Sequence, residues 1–238
     1  MVDTTDDFDK LVERAAAMLR RLEQDYGRPA WRIARAPLDE LVMTILSQHT
    51  SDTNCERAFN TLRATFPTWL DVANATEREI ADSIRSGGLA TMKAPRIKAV
   101  ITHSLESDLF DVLPSLPLPE AKARLQSLAG VGPKTAACVL LFACRKPALP
   151  VDTHVHRVAR RVGLIGDRTN ADRAHAQLES LLPPEDVYSF HMNVIRHGRQ
   201  VCHARNPRCD ACSLADVCQD AFVRAMTTDK TIASTGDD

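Results

Sequence analysis

Apolar residues return at helical spacing in segment after segment of this 238-residue chain, and nowhere alternate strictly as a half-buried strand requires. Residues 8–26 place Leu11, Ala15, Met18, Leu19 and Leu22 on one face, with Gly27 as a stop signal. Residues 38–49 repeat the pattern with Leu38, Leu41, Val42, Ile45 and Leu46. The same period predicts helices over 55–66, 77–84, 94–105, 119–128, 134–144, 153–162, 170–182 and 188–201. The expected class is therefore all-α, with short loops between packed helices. The stretch "RKPALPVD" reads as a boundary between two lobes, and the polar residues 226–238 are expected to be disordered.

Composition excludes more than it selects. A hydrophobic content of 44% and a charged content of 26% are ordinary for a globular chain. The net charge of −1 does not itself suggest a nucleic-acid partner, so DNA binding would need basic residues gathered on one face. The opening "MVDTTDDFDK" is acidic and lacks the apolar core of a secretory signal. No apolar run approaches the roughly 20 residues of a membrane span. The expectation is a soluble, cytoplasmic monomer without a membrane partner.

The segment "LAGVGPKTAACVLLFA" sets a narrower problem. Gly130 and Gly132 are able to take positive φ in a tight helix–helix link, and Pro133 suits the first position of the second helix. Unpaired amides there suit a phosphate, although a plain helix–helix corner uses the same residues. Lys134 then falls in a first turn, where the helix dipole disfavours its charge. A free lysine of pKa ~10.4 is only about 0.04% neutral at pH 7. Dipole and burial lowering it to ~8 would make about a tenth an available amine. The placement is poor for stability and good for a nucleophile.

"VDTHVHRVARRVG" reads as a helix capped by Asp152 and closed by Gly163. Val155, Val158, Ala159 and Val162 form its buried stripe, leaving Arg157, Arg160 and Arg161 for the outside. On these residues alone Asp152 reads first as a helix cap, and a carboxylate so fixed could also stabilise positive charge on a sugar or manage protons. Three of the seven cysteines, Cys55, Cys138 and Cys144, stand in apolar or helical contexts and read as small buried residues. The other four, Cys202, Cys209, Cys212 and Cys218, lie within 17 residues as C-x6-C-x2-C-x5-C. Four thiolates on one loop suit tetrahedral zinc or a cubane iron–sulfur cluster. Arg196, Arg199, Arg205, Arg208 and His203 lie around them and could supply the missing basic face.

Taken in order, "LAGVGPKTA", "VDTHVHRV", "HGRQVC" and the four-cysteine spacing resemble the endonuclease III family of DNA glycosylases, within the helix-hairpin-helix superfamily, over roughly residues 37–220. The resemblance implies a six-helix barrel lobe over 37–147, with the helix-hairpin-helix motif at about 119–144. It implies a second, discontinuous lobe from 1–36 plus 148–225, whose four cysteines carry a [4Fe–4S] cluster. Double-stranded DNA containing damaged bases would lie across the cleft between lobes, with Gly130, Val131 and Gly132 gripping a phosphate and the damaged pyrimidine flipped out. Lys134 would attack the sugar C1′, expel the base and permit β-elimination through a Schiff base, assisted by Asp152. In a bacterium the protein would be nucleoid-associated.

Three positions bear on how the family pattern applies. Ala129 replaces a common proline in the hairpin. In "LSQHTSD", His49 occupies the place where relatives insert a glutamine into the gap left by the flipped base, and neighbouring Gln48 is the other candidate. Leu89 in "SGGLATMKA" matches an apolar wedge position and reads equally as a buried loop anchor. The expected activity is that of a bifunctional DNA glycosylase and abasic-site lyase acting on oxidised pyrimidines. A mismatch-directed glycosylase and a non-catalytic damage-binding module are the alternatives. Adenine-mismatch relatives usually lack the lysine and carry an extra C-terminal domain, for which the 20 residues after Cys218 leave no room.

Overall fold

The computed structural model of the protein describes residues 4–222, and the tail expected to be disordered, 226–238, lies outside them. The chain divides into two units, one of Arg32–Pro150 and one of Met1–Trp31 with Val151–Asp238. Among the described residues there is no strand. Helix α1 (Thr4–Tyr26) belongs to the discontinuous unit. The chain then builds the other unit from α2 (Pro37–Ser47), α3 (Asp52–Thr65), α4 (Trp69–Asn74), α5 (Glu77–Ser83), α6 (Ala90–Glu106), α7 (Leu109–Val112), α8 (Leu118–Gln126) and α9 (Pro133–Ala143). It returns to the first unit with α10 (Thr153–Val162), α11 (Ala171–Ser180) and α12 (Val187–Gln200). No helix among the described residues is long and apolar enough to cross a membrane.

Hydrophobic pattern explains where each helix lies, and side-chain caps explain where several begin. Ser51, Thr68, Thr76 and Asn170 each accept a hydrogen bond from the backbone amide three residues on, satisfying a donor that the helix itself cannot. Thr68 with Asp71, and Thr76 with Glu79, complete reciprocal capping boxes. The six-residue α4 owes its existence to such a box and to Val72, which is fully buried; it is too short for periodicity to reveal. The structure also moves the start of α6 from the expected residue 94 to Ala90, so that Pro95 lies inside the helix. Leu89, in the left-handed conformation, forms that boundary.

In the Arg32–Pro150 unit α2 packs extensively on α9, and also on α3 and α6. Its core joins Leu41, Ile45 and Leu46 of α2 to Leu62, Ile97, Ile101, Val139 and Leu140. Cys55 and Cys144 are buried here as expected, and burial pushes both thiols up to about 11, which keeps them protonated and inert. In the other unit α12 packs against both α1 and α10. Met18 and Leu22 of α1, Val155 and Val158 of α10, and Phe190 and Val194 of α12 are among its buried residues. The end of α1 is tied down by polar contacts: Asn193 donates to Gly27 O at 2.9 Å, and Arg28 pairs with Glu23 and Asp186.

Glu40 is the exception in this apolar packing. It is 8% exposed in the first turn of α2, with Arg35 at 3.8 Å and Thr44 as hydrogen-bond partner. Burial dominates, raising its pKa from 4.5 to about 7 against the opposing pull of Arg35. The folded chain therefore holds this proton more tightly than the unfolded chain. The associated stability is complete below about pH 4.5 and is lost as pH rises through about 7. Replacing the carboxyl with an amide removes that loss. In urea unfolding, Glu40→Gln is expected to exceed the parent by about 3 kcal/mol at pH 8, with the advantage shrinking below about 1 kcal/mol at pH 5.

Candidate DNA-repair site and cysteine loop

The hairpin between α8 and α9 turns at Gly130, whose φ of +81° needs glycine. Gly132 differs from expectation: its φ of −88° and ψ of 179° are extended, and a Cβ there would meet nothing within 4 Å. Only one of the two glycines is therefore required by backbone conformation. Val131 is buried and anchors the turn, its amide donating to Leu128 O at 3.1 Å. Pro133 opens α9 as predicted. Thr135 through Leu141 are all buried, whereas Lys134 is exposed. The burial expected for this lysine is thus absent from its own unit.

Gln48 and His49 follow the last residue of α2, and both lie at the surface of the same unit, His49 the more exposed. His49 has φ +54°, and Leu89, 49% exposed, has φ +49°. The structure thus places Leu89 as an exposed residue and not as a buried anchor. One helical turn on, Met92 is 59% exposed. Arg96 was not anticipated. Its guanidinium donates to Gln48 Oε1 at 3.5 Å, and its side chain lies 3.4 Å from where a Cβ on Gly130 would stand. One cationic side chain therefore reaches both the hairpin and the Gln48 loop.

Asp152 belongs to the discontinuous unit, so Lys134 and Asp152 are carried by different units. As predicted it caps α10, its Oδ1 accepting from Val155 N at 2.7 Å. Gly163 ends the helix at φ +84°, and a Cβ there would collide with the Gln219 side chain.

Two of the three arginines assigned to the outside of α10 turn inward. Arg157 donates to Cys202 O at 3.0 Å and to Gly198 O at 2.9 Å. Arg161 donates to Cys202 Sγ at 3.2 Å, His203 O at 2.7 Å and Ala204 O at 3.1 Å. Only Arg160 is exposed. Helical period places all three on the polar face, but long guanidinium arms can satisfy the carbonyls of an irregular loop, and that need is invisible in the pattern. Arg196 likewise lies over the Tyr26 ring, 4.8 Å from its centroid.

Cys202, Cys209, Cys212 and Cys218 are all half-buried and unbridged, and they line one pocket with Arg161, Pro207 and Ala221. Among the described residues, no three Cys, His, Asp or Glu side chains converge as a single-ion site demands. A cubane of four irons instead offers one iron to each thiolate around a wider ring. The donor set and its spread therefore fit a cluster better than one tetrahedral zinc, and Arg161 beside Cys202 Sγ supplies positive charge to an anionic group. Burial first of all pushes the Cys212 thiol up to about 11, so loading this site would displace its proton. His197, 1% exposed, supports the loop from below, with Nε2 3.5 Å from Cys212 Sγ and Nδ1 3.2 Å from Tyr26 Oη.

A helical chain that has a glycine hairpin opening a buried helix in one unit and a four-thiol loop clamped by arginines in the other has the build of an iron–sulfur DNA-repair protein. Residues 42–184 match the family model of HhH-GPD superfamily base excision DNA repair proteins, and residues 202–218 match the iron–sulfur binding domain of endonuclease III. The chain is 36% identical to endonuclease III of Thermotoga maritima over 77% of this chain and 83% of that one. It is 30% identical to the Escherichia coli endonuclease III, over 85% and 93%. It spans 56% of a related Arabidopsis thaliana protein, at 37% identity. The structure of a non-covalent endonuclease III–DNA complex superposes with a TM-score of 0.77 at 26% identity, covering 90% of this chain and 98% of that one. The chain belongs to the HhH-GPD superfamily and, within it, to the endonuclease III family. It is accordingly a base-excision-repair DNA glycosylase, in the class of DNA glycosylase and abasic-site lyase enzymes, with a [4Fe–4S] cofactor. For the ligand set, Cys209→Ser is expected to purify with less than half the parent's iron and sulfide and with a lower melting temperature. A fully loaded, equally stable variant would remove Cys209 from the ligands.

Proposed function

We propose that the protein removes oxidised pyrimidines from duplex DNA and then cleaves 3′ to the abasic site by β-elimination. The observation that carries this reading is Lys134, an exposed amine at the second position of a helix whose other residues are nearly all buried. The buried body of α9 holds the lysine's backbone rigid while its side chain remains available to DNA. The neutral amine attacks the sugar C1′ as the C1′–N bond to the base breaks, and the base departs with the bonding pair. Loss of a proton and opening of the ring give a Schiff base between Lys134 Nζ and C1′. That imine acidifies the C2′ proton, and its removal expels the 3′ phosphate.

Asp152 serves as the fixed anion of this scheme. Its hydrogen bond from Val155 N holds the carboxylate orientation, and its charge stabilises the cationic character that develops on the sugar. Gly130, Val131 and Gly132 present the hairpin backbone to a phosphate, and the open space at Gly132 lets that backbone approach closely. Gln48, His49 and Leu89 occupy the gap and part the bases when the lesion is extruded. The protein acts as a monomer on damaged double-stranded DNA. Cys202, Cys209, Cys212 and Cys218 hold the [4Fe–4S] cluster, which when bound locks the loop that follows α12; no proton or bond in the base-release step is routed through it.

Borohydride trapping on a thymine-glycol duplex tests the covalent step. The parent is expected to form a protein–DNA adduct on damaged duplex only, and Lys134→Gln to form none while keeping DNA affinity within about threefold, since it retains every backbone contact of the hairpin. An adduct with Lys134→Gln would dismiss the lysine as nucleophile. Trapping confined to abasic duplex would point to another preferred base. For the carboxylate, Asp152→Asn keeps the cap and loses the charge, so single-turnover base release should slow by about 10²-fold or more with an unchanged melting temperature. A parent-like rate would reduce Asp152 to a helix cap.

A further inference from the structure

Lys93, on α6, is 2% exposed and forms no ion pair among the described residues. Its ammonium uses its three donors on Leu46 O at 2.7 Å, Gly87 O at 2.7 Å and Thr50 Oγ1 at 3.1 Å. Thr50 Oγ1 in turn donates to Gly87 O, so the two side chains form a closed group. Leu46 lies in the last turn of α2, where carbonyls lack helical partners and the helix dipole is negative. That dipole takes the place of a carboxylate, while burial pulls the lysine's pKa below the ordinary value.

What the ammonium joins is more specific than a core. Leu46 leads directly into Gln48 and His49, and Gly87 closes the turn that leads into Leu89. The tips of both loops, His49 and Leu89, hold left-handed backbone that side-chain-bearing residues seldom adopt, so each needs its surroundings to keep it there. We propose that Lys93 is a positioning residue that fixes the Gln48–His49 loop and the Leu89 loop at one separation, so that both enter the base stack together. The proposal rests on the reading of those residues as the DNA wedge.

The test uses a duplex carrying 2-aminopurine opposite a tetrahydrofuran abasic analogue, which reports unstacking without turnover or lesion choice. Saturating parent protein is expected to brighten the probe, and Lys93→Met, brought to saturation by a separate anisotropy titration, to give less than half that increase. Thr50→Val keeps both lysine–carbonyl bonds and should lose at least a quarter. If the lysine were only structural, any variant that is folded by circular dichroism and saturated would brighten the probe as the parent does. That result, from Lys93→Met or, should it fail to fold, from Thr50→Val, overturns the proposal. Leu89→Ala separates the two layers of argument, because a parent-sized signal from it overturns the wedge reading itself and the positioning role with it.

Discussion

Near-complete burial of α2 and α9 is the constraint around which the Arg32–Pro150 unit is arranged. The two helices pack on each other, and each has an apolar body with almost no surface left over. Such helices can present chemistry only at their ends. The C-terminal end of α2 presents Gln48 and His49, and the N-terminal end of α9 presents the hairpin and Lys134. Arg96 touches Gln48 and lies against Gly130, which puts these two ends on one side of the unit. A rigid core thus does for the lysine what a loop could not: it limits the positions of the amine to those its own side-chain rotamers allow.

The discontinuous unit solves a different problem with one helix. Along α10 the cap Asp152 stands at the start, Arg157 and Arg161 project from the middle and last turn, and Gly163 closes the end. The arginines bind carbonyls of the cysteine loop, a segment built of turns and one short helical turn, Ala215–Val217. Guanidinium suits this task because one planar fork can satisfy several acceptors at fixed angles. The loop is therefore tied to the helix that carries the proposed catalytic carboxylate. The cysteine loop and Asp152 thus share a scaffold.

Much of this was legible in the sequence because long amphipathic helices and close cysteine spacing are local signals. The stripe Val155, Val158, Ala159 and Val162 and the cap Asp152 appear as read. Elements whose cause is not periodic were missed. The short α4 rests on a capping box, and the first turn of α6, which begins at Ala90 and precedes the interior Pro95, falls outside the periodic segment. Gly130 and Gly132 look equivalent in sequence, yet only one has positive φ, since a hairpin needs a single left-handed residue to reverse direction. Arg157 and Arg161 read as surface charge, and Arg96 carried no signal at all, because their partners are far away in sequence. Lys93 was hidden as well: nothing adjacent marks a lysine whose acceptors come from the end of α2, from Thr50 and from the turn at Gly87.

Buried charge in this unit follows one logic. Glu40 lies in the first turn of α2 and Lys93 binds its last turn, so an acid meets the positive end of the dipole and a base the negative end. Neither has the partner that would make a buried ion pair efficient: Glu40 has Arg35 only at 3.8 Å, and Lys93 has carbonyls and a hydroxyl. The two ends respond differently to acid. Glu40, raised to about 7, takes up its proton near neutrality, and relief of its desolvation outweighs the lost dipole contact. Lys93, though its pKa is lowered, stays bound to acceptors that favour the cation. Mild acid should therefore make the start of α2 more stable while leaving the clamp at its other end unchanged, so the loop that carries His49 keeps its anchor across the pH range in which Glu40 titrates.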